Sequence, residues 1–166
     1  MGSFMTDIFG STDPRMMPGY LFGETVSKDY STARRADISK QNYTVCPRYW
    51  YFDATSICGS CGQEFLWSAD EQQRWFEDYR FWISAYPHRC RSCRARVREL
   101  AALRREYDQS VDAARDHGTV EQKRRIIEIV DQLTDVLGVL PLRMTETRNV
   151  FVKQTTPNKS CEQQHG

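Results

Sequence analysis

Four cysteines stand in two pairs of identical spacing, Cys58-Gly-Ser-Cys61 and Cys90-Arg-Ser-Cys93. A C-x-x-C turn aims two thiolates at one point, and two such turns complete a tetrahedron of sulfur around a single ion. Four thiolates leave no open coordination position, so such an ion organises the fold and does no chemistry. The spacing predicts a structural zinc site with Cys58, Cys61, Cys90 and Cys93 as ligands. A tetrahedron of sulfur also suits iron. A lone C-x-x-C would read as a redox dithiol, but here one pair sits on a glycine-flanked turn and the other at a helix start, which favours zinc. Cys46 and Cys161 read as free thiols, and His88 as an exposed side chain near Cys90.

Other chemistry is sparse. No Gly-rich phosphate loop is present, no serine has a triad context, and His88, His117 and His165 lack metal-type spacing. Glu71 and Asp78 read as helix-surface carboxylates. The expectation is a protein that is not an enzyme and takes no small-molecule substrate. Arginines crowd the second cysteine pair, and Arg91, Arg94, Arg98 and Arg105 share one stripe of a helix. They suit phosphate contacts with RNA or DNA. They equally offset the charge of about −2 that four thiolates leave on a zinc centre. Trp50, Tyr51, Phe65, Trp67, Trp75, Phe76 and Trp82 read mainly as the core of a small domain, and otherwise as base-stacking groups.

The elements that must hold these residues follow from pattern. Tyr49-Trp-Tyr-Phe52 has strand propensity, Asp53–Ser56 reads as a turn, and Gln63–Trp67 as the returning strand of a hairpin carrying the first pair. Gly62 suits positive φ. Ser68 and Glu71 form a capping box for a helix over 69–79. Pro87 disfavours helix before it, so 81–86 reads as an extended connector. The second pair opens a helix from Cys90 to Asp116, whose N-terminal dipole favours thiolates. Val97, Leu100, Leu103, Tyr107, Val111 and Ala114 make its apolar face. Gly118 stops it. Thr119 and Gln122 then cap a third helix ending at Leu137, Gly138 and Pro141. These two helices form a hairpin whose apolar seam needs cover from the zinc module or a second subunit. Residues 143–152 are ambiguous, with Asn149–Lys153 suited to a short strand.

The 166 residues carry nearly balanced charge, so bulk charge names no partner. No apolar run is long enough to span a bilayer and no export signal is seen. Met1-Gly2…Thr6 fits a loose myristoylation pattern. The cysteine distribution suits a reducing compartment, which gives a cytoplasmic expectation. The expected organisation is a mostly disordered arm over 1–44, with a docking patch at Tyr20–Phe22. A zinc module follows over 45–98, then a helical hairpin over 99–141 and a largely disordered tail over 142–166.

Residues Tyr49 to Arg98 resemble the probable zinc-ribbon (treble-clef-like) domain of small bacterial proteins. The resemblance rests on Tyr51-Phe-Asp53, Cys58-x-x-Cys61-Gly62, Glu64-Phe65, Ala69-x-Glu71-Gln72, Trp75 and Arg89-Cys90-x-x-Cys93-Arg94. It implies a zinc-binding fold with the four cysteines as ligands, and implies no reaction. The Cys61-to-Cys90 separation is long for a simple zinc ribbon, and an inserted helix in a treble clef accounts for it. The fold class expected is α+β, mostly α: a four-cysteine treble-clef-like module, a β-hairpin plus a helix, followed by a helical hairpin. The function expected is a zinc-binding interaction protein that presents the hairpin to a protein partner or to its own copy. The alternative is an RNA- or DNA-binding zinc protein using the Arg-rich helix 89–105.

Overall fold

Alternation along Trp50–Ile57 decides the centre of the fold. Tyr51, Phe52, Ala54 and Ser56 are buried, while Asp53, Thr55 and Ile57 are not. This strand, β2, has a neighbour on each side in a three-stranded antiparallel sheet ordered β1-β2-β3. β1 is Thr25–Arg35 and β3 is Glu64–Trp67. The computed structural model describes residues 7–156. The myristoylation pattern, Cys161 and His165 lie outside the described residues. The fold is α+β and mostly helical, as expected from pattern.

Three expectations need correction. Asp53–Ser56 is strand and not turn, because β1 pairs along it from Thr25↔Ser56 to Asp29↔Asp53. Over its described residues, 7–44, the arm is not mostly disordered: it contributes β1 and three short 3-10 turns, Pro14–Met16, Gly19–Phe22 and Ile38–Lys40. Its docking patch is real, since Leu21 and Phe22 are buried beside Met17 while Tyr20 faces solvent. β1 escapes a period-two reading because its register shifts between Asp29 and Arg34. In that irregular stretch Asp29 accepts from the Ser31 N–H and hydroxyl, and the Thr32 hydroxyl accepts from the Asp53 N–H at 2.8 Å. Local side-chain bonds of this kind replace ladder bonds and erase the alternation. Third, the segment after 142 forms a helix.

The chain divides between Arg94 and Ala95 into two compact units. The boundary therefore falls slightly before the expected one at 98. In the first unit Phe22, Tyr51, Phe52, Trp67 and Phe76 make an aromatic core, with Phe22 stacked on Phe52 at 4.6 Å. Arg48 lies wholly buried among them, its guanidinium 4.7 Å from the Phe22 ring, 5.1 Å from Trp67 and 4.5 Å from Phe76. Its Nε donates to the Ile83 carbonyl at 3.1 Å and its Nη2 to the Leu21 carbonyl. Burial lowers its pKa to about 9, which still leaves it charged at neutral pH.

The second unit packs three helices around one apolar cluster. α2 is Arg91–Asp116, which begins in the first unit, α3 is Val120–Leu137 and α4 is Leu142–Thr155. Tyr107, Val111 and Ala114 meet Ile126, Ile129, Val130 and Leu133, and α4 adds Met144 and Phe151. The hairpin seam is thus covered within the chain, which corrects the need for outside cover. It also corrects the short strand at 149–153 and the expected disordered tail over 142–156; the rest of that tail lies outside the described residues. β-branched residues in α4 disguised it, yet Met144, Thr147 and Phe151 fall on one buried face. Thr119 caps α3 reciprocally, its hydroxyl accepting from Gln122 N–H and its own N–H donating to the Gln122 side chain. No helix of the described residues is long and apolar enough to cross a membrane.

Candidate metal centre

The first cysteine pair lies on the turn between β2 and β3. Cys58 N–H donates to the Gln63 carbonyl at 2.9 Å and Gly62 N–H to the Cys58 carbonyl at 2.9 Å, so the loop closes on itself. Gly62 takes φ +71°, the left-handed conformation that a residue without Cβ adopts at least cost. The second pair starts α2: the Cys90 carbonyl accepts the Arg94 N–H at 2.9 Å, and Cys93 lies in the first turn. Gly59 N–H donates to the His88 carbonyl at 2.9 Å, and Arg89 Nε donates to the Ser60 hydroxyl at 2.8 Å. Those two bonds hold the turns together.

All four sulfurs lie within 4.8 Å of one another, and Cys61 Sγ is 3.9 Å from Cys90 Sγ. Tetrahedral zinc with Zn–S near 2.3 Å requires sulfurs about 3.8 Å apart. The donor set fits. Its electrostatics point the same way. Backbone N–H groups, that of Cys90 first at 3.3 Å, lower the Cys58 thiol to about 6. Hydrogen bonding to Cys90 and the neighbouring sulfurs push Cys93 up to about 12. Four sulfurs this close cannot all carry negative charge unless a cation sits among them, and a divalent ion supplies that charge. Cys58 and Cys90 are buried, Cys93 is half-buried and Cys61 is exposed, so one side of the cluster faces solvent.

Cys46 is buried away from the cluster, its sulfur 3.2 Å from the Tyr20 hydroxyl. His88 is exposed, its ring 4.5 Å from that of Tyr86. Among the described residues the four cysteines are the one group of three or more His, Cys, Asp or Glu side chains close enough to share an ion.

The Arg stripe is not uniform. Arg91, Arg98 and Arg105 are exposed and enter no ion pair among the described residues. Arg94 is engaged, with its Nη2 2.6 Å from Glu71 and its guanidinium 5.1 Å from the Trp75 ring. The Ser68 hydroxyl accepts the Glu71 N–H at 3.2 Å as expected, but the Glu71 carboxylate turns to Arg94 in place of closing the capping box. α1 is Ala69–Gln73, and the helix then widens into one π turn over Arg74–Asp78. The widening buries Phe76 and Glu77, whose carboxylate accepts the Asp37 N–H at 2.9 Å. Sequence reasoning missed Arg48 and Glu77, because both are charged residues whose partners lie far along the chain.

A strand pair with a cysteine knuckle, followed by a helix carrying the second pair in its first turn, is treble-clef geometry. No match is found among curated proteins or among solved structures. Residues 52–100 match the model of a family described as a probable treble clef domain.

Proposed function

We propose that the protein is a non-enzymatic interaction module whose first unit is held by one structural zinc ion on Cys58, Cys61, Cys90 and Cys93. The observation that carries this is the convergence of four sulfurs within 4.8 Å on a knuckle and a helix start. With all four positions taken by protein ligands, zinc contributes folding energy and leaves no site for substrate. Such a centre requires reduced thiols, which suits the cytoplasm. The helices beyond Arg94 offer the surface for a protein partner or a second copy. Exposed Val136, Leu137, Val139 and Leu142 cluster in sequence around the α3–α4 turn, and such residues are common at interfaces. Metal analysis of native protein tests the first part, with one zinc per chain expected. Sedimentation of wild type and Leu137→Glu/Leu142→Glu over a concentration series, alone and with captured partners, tests the second. Identical behaviour of the two proteins removes the partner surface.

A second reading is favoured by Arg91, Arg98 and Arg105, which are exposed and enter no ion pair among the described residues. On this reading the protein contacts RNA or DNA phosphates through α2. Binding that is absent at low salt, or unchanged by charge reversal at these three positions, removes it.

A further inference from the structure

From Arg74 to Trp82 the chain reads Arg-Trp-Phe-Glu-Asp-Tyr-Arg-Phe-Trp, with aromatic residues at 75, 76, 79, 81 and 82 and no aliphatic residue. Phe76 enters the core, but Tyr79, Phe81 and Trp82 are 62%, 44% and 46% exposed. Backbone geometry holds them out. The π turn ends at Tyr79, whose N–H donates to the Arg74 carbonyl at 2.9 Å, and Arg80 then takes φ +54°. This reversal returns Phe81 N–H to the Trp75 carbonyl at 2.9 Å. A chain of ring contacts results: Trp67 to Trp75 at 5.5 Å, Trp75 to Phe81 at 5.5 Å and Phe81 to Tyr79 at 5.7 Å. It runs from a buried indole to a solvent-facing phenol. Trp82 is held from the other side by backbone pairing with Asn42.

Arginines accompany this ridge along the chain: Arg80 stands between Tyr79 and Phe81, and Arg74 lines a pocket with Asp70, Gln73 and Asp78. Arg74 and Arg80 enter no ion pair among the described residues. Arg94 lies over Trp75. Of the two carboxylates in the run, Glu77 is buried and already accepts from Asp37 and Gln73. From residue 74 to 94 the unit carries five arginines against Glu77 and Asp78. Exposed rings with arginines next to them in the chain and no aliphatic residue in the run suit stacked bases joined by phosphates better than aliphatic protein side chains.

We infer that Tyr79, Phe81 and Trp82, flanked by Arg74 and Arg80, form a stacking surface for single-stranded nucleic acid. This rests on the second reading above and adds to it a site and a strand preference. Fluorescence anisotropy of the zinc-loaded full chain tests it. The probes are a labelled oligouridylate of about 20 nucleotides and a duplex of equal length, each at about 50 and 200 mM salt. The single strand binds at least about tenfold tighter than the duplex. Phe81→Ala and Trp82→Ala each weaken binding about tenfold, while Phe81→Tyr and Trp82→Phe, which keep a ring, retain it. Arg74→Gln/Arg80→Gln lowers the salt slope by about 1.4. Zinc content, measured in every variant, stays at the wild-type value. No anisotropy change at the lower salt overturns both this surface and the nucleic-acid reading. Binding lost on charge reversal at Arg91, Arg98 and Arg105, but unmoved by the Ala variants, leaves that reading and overturns the ridge. Equal affinity for duplex and single strand also overturns it. So does a protein partner whose capture needs Phe81 and Trp82 in the absence of oligonucleotide binding.

Discussion

Cys61 faces solvent while Cys58 is buried, yet both belong to one sulfur cluster, so losing either leaves only three of its four sulfurs. Cys61→Ser or Cys93→Ser is expected to abolish stoichiometric zinc and the cooperative transition of the first unit. Cys46→Ala is expected to retain one zinc per chain, because its sulfur bonds Tyr20 and lies outside the cluster. Metal analysis and thermal scans check both. Arg48 is the other decisive residue. Lysine there lacks the planar fork that reaches the Ile83 and Leu21 carbonyls together. Arg48→Lys should therefore cost about 2–3 kcal/mol in denaturant titration. A loss within error of zero would show that the fork is dispensable.

At the scale of the element, turns and ion pairs carry separable effects. Gly62 has φ +71° and nothing near its missing side chain, so Gly62→Ala costs backbone strain of about 1 kcal/mol without a clash. In the helical unit, Arg125 on α3 grips Glu106 on α2 with bonds of 2.7 and 2.9 Å. That contact holds the Glu106 carboxyl below its ordinary value of 4.5. A depressed carboxyl stabilises the fold above its unfolded pKa, and the contribution drains as pH falls through the folded pKa, below 4.5. Both side chains are solvent-exposed, so the pair is worth about 0.5–1 kcal/mol. Glu106→Gln should lower stability by that amount at pH 7 and flatten the loss below 4.5, as read by urea titration at several pH values. Unchanged acid sensitivity would place it elsewhere. Legibility varied among elements for a physical reason. α2 and α3 announce themselves through apolar spacing and Thr119 capping, which are local. β1 and α4 do not, because β1 is held by pairing with β2 and α4 by a face of only Met144, Thr147 and Phe151.

For the whole molecule, the division at Arg94 separates a unit that holds the four-cysteine cluster from one with its own apolar core and no cysteine among its described residues. A strong chelator should therefore erase the near-ultraviolet signal of the aromatic core while much of the helical signal survives. Calorimetry should show two transitions, of which chelation shifts only one. A single transition indifferent to chelation would contradict a zinc-dependent unit. Two C-x-x-C pairs, the Ser68 and Thr119 caps and the spacing of Ile126, Ile129 and Leu133 were enough to state the candidate ligand set, whose four sulfurs do converge, and the paired helices, since each is written in residues a few positions apart. What only the tertiary structure decided was the third strand drawn from the arm, the guanidinium sealed among Phe22, Trp67 and Phe76, the helix that covers the hairpin and the ridge at Tyr79–Trp82. Each of those depends on contacts between residues distant in the chain or on which ring faces water, and neither is encoded in local periodicity.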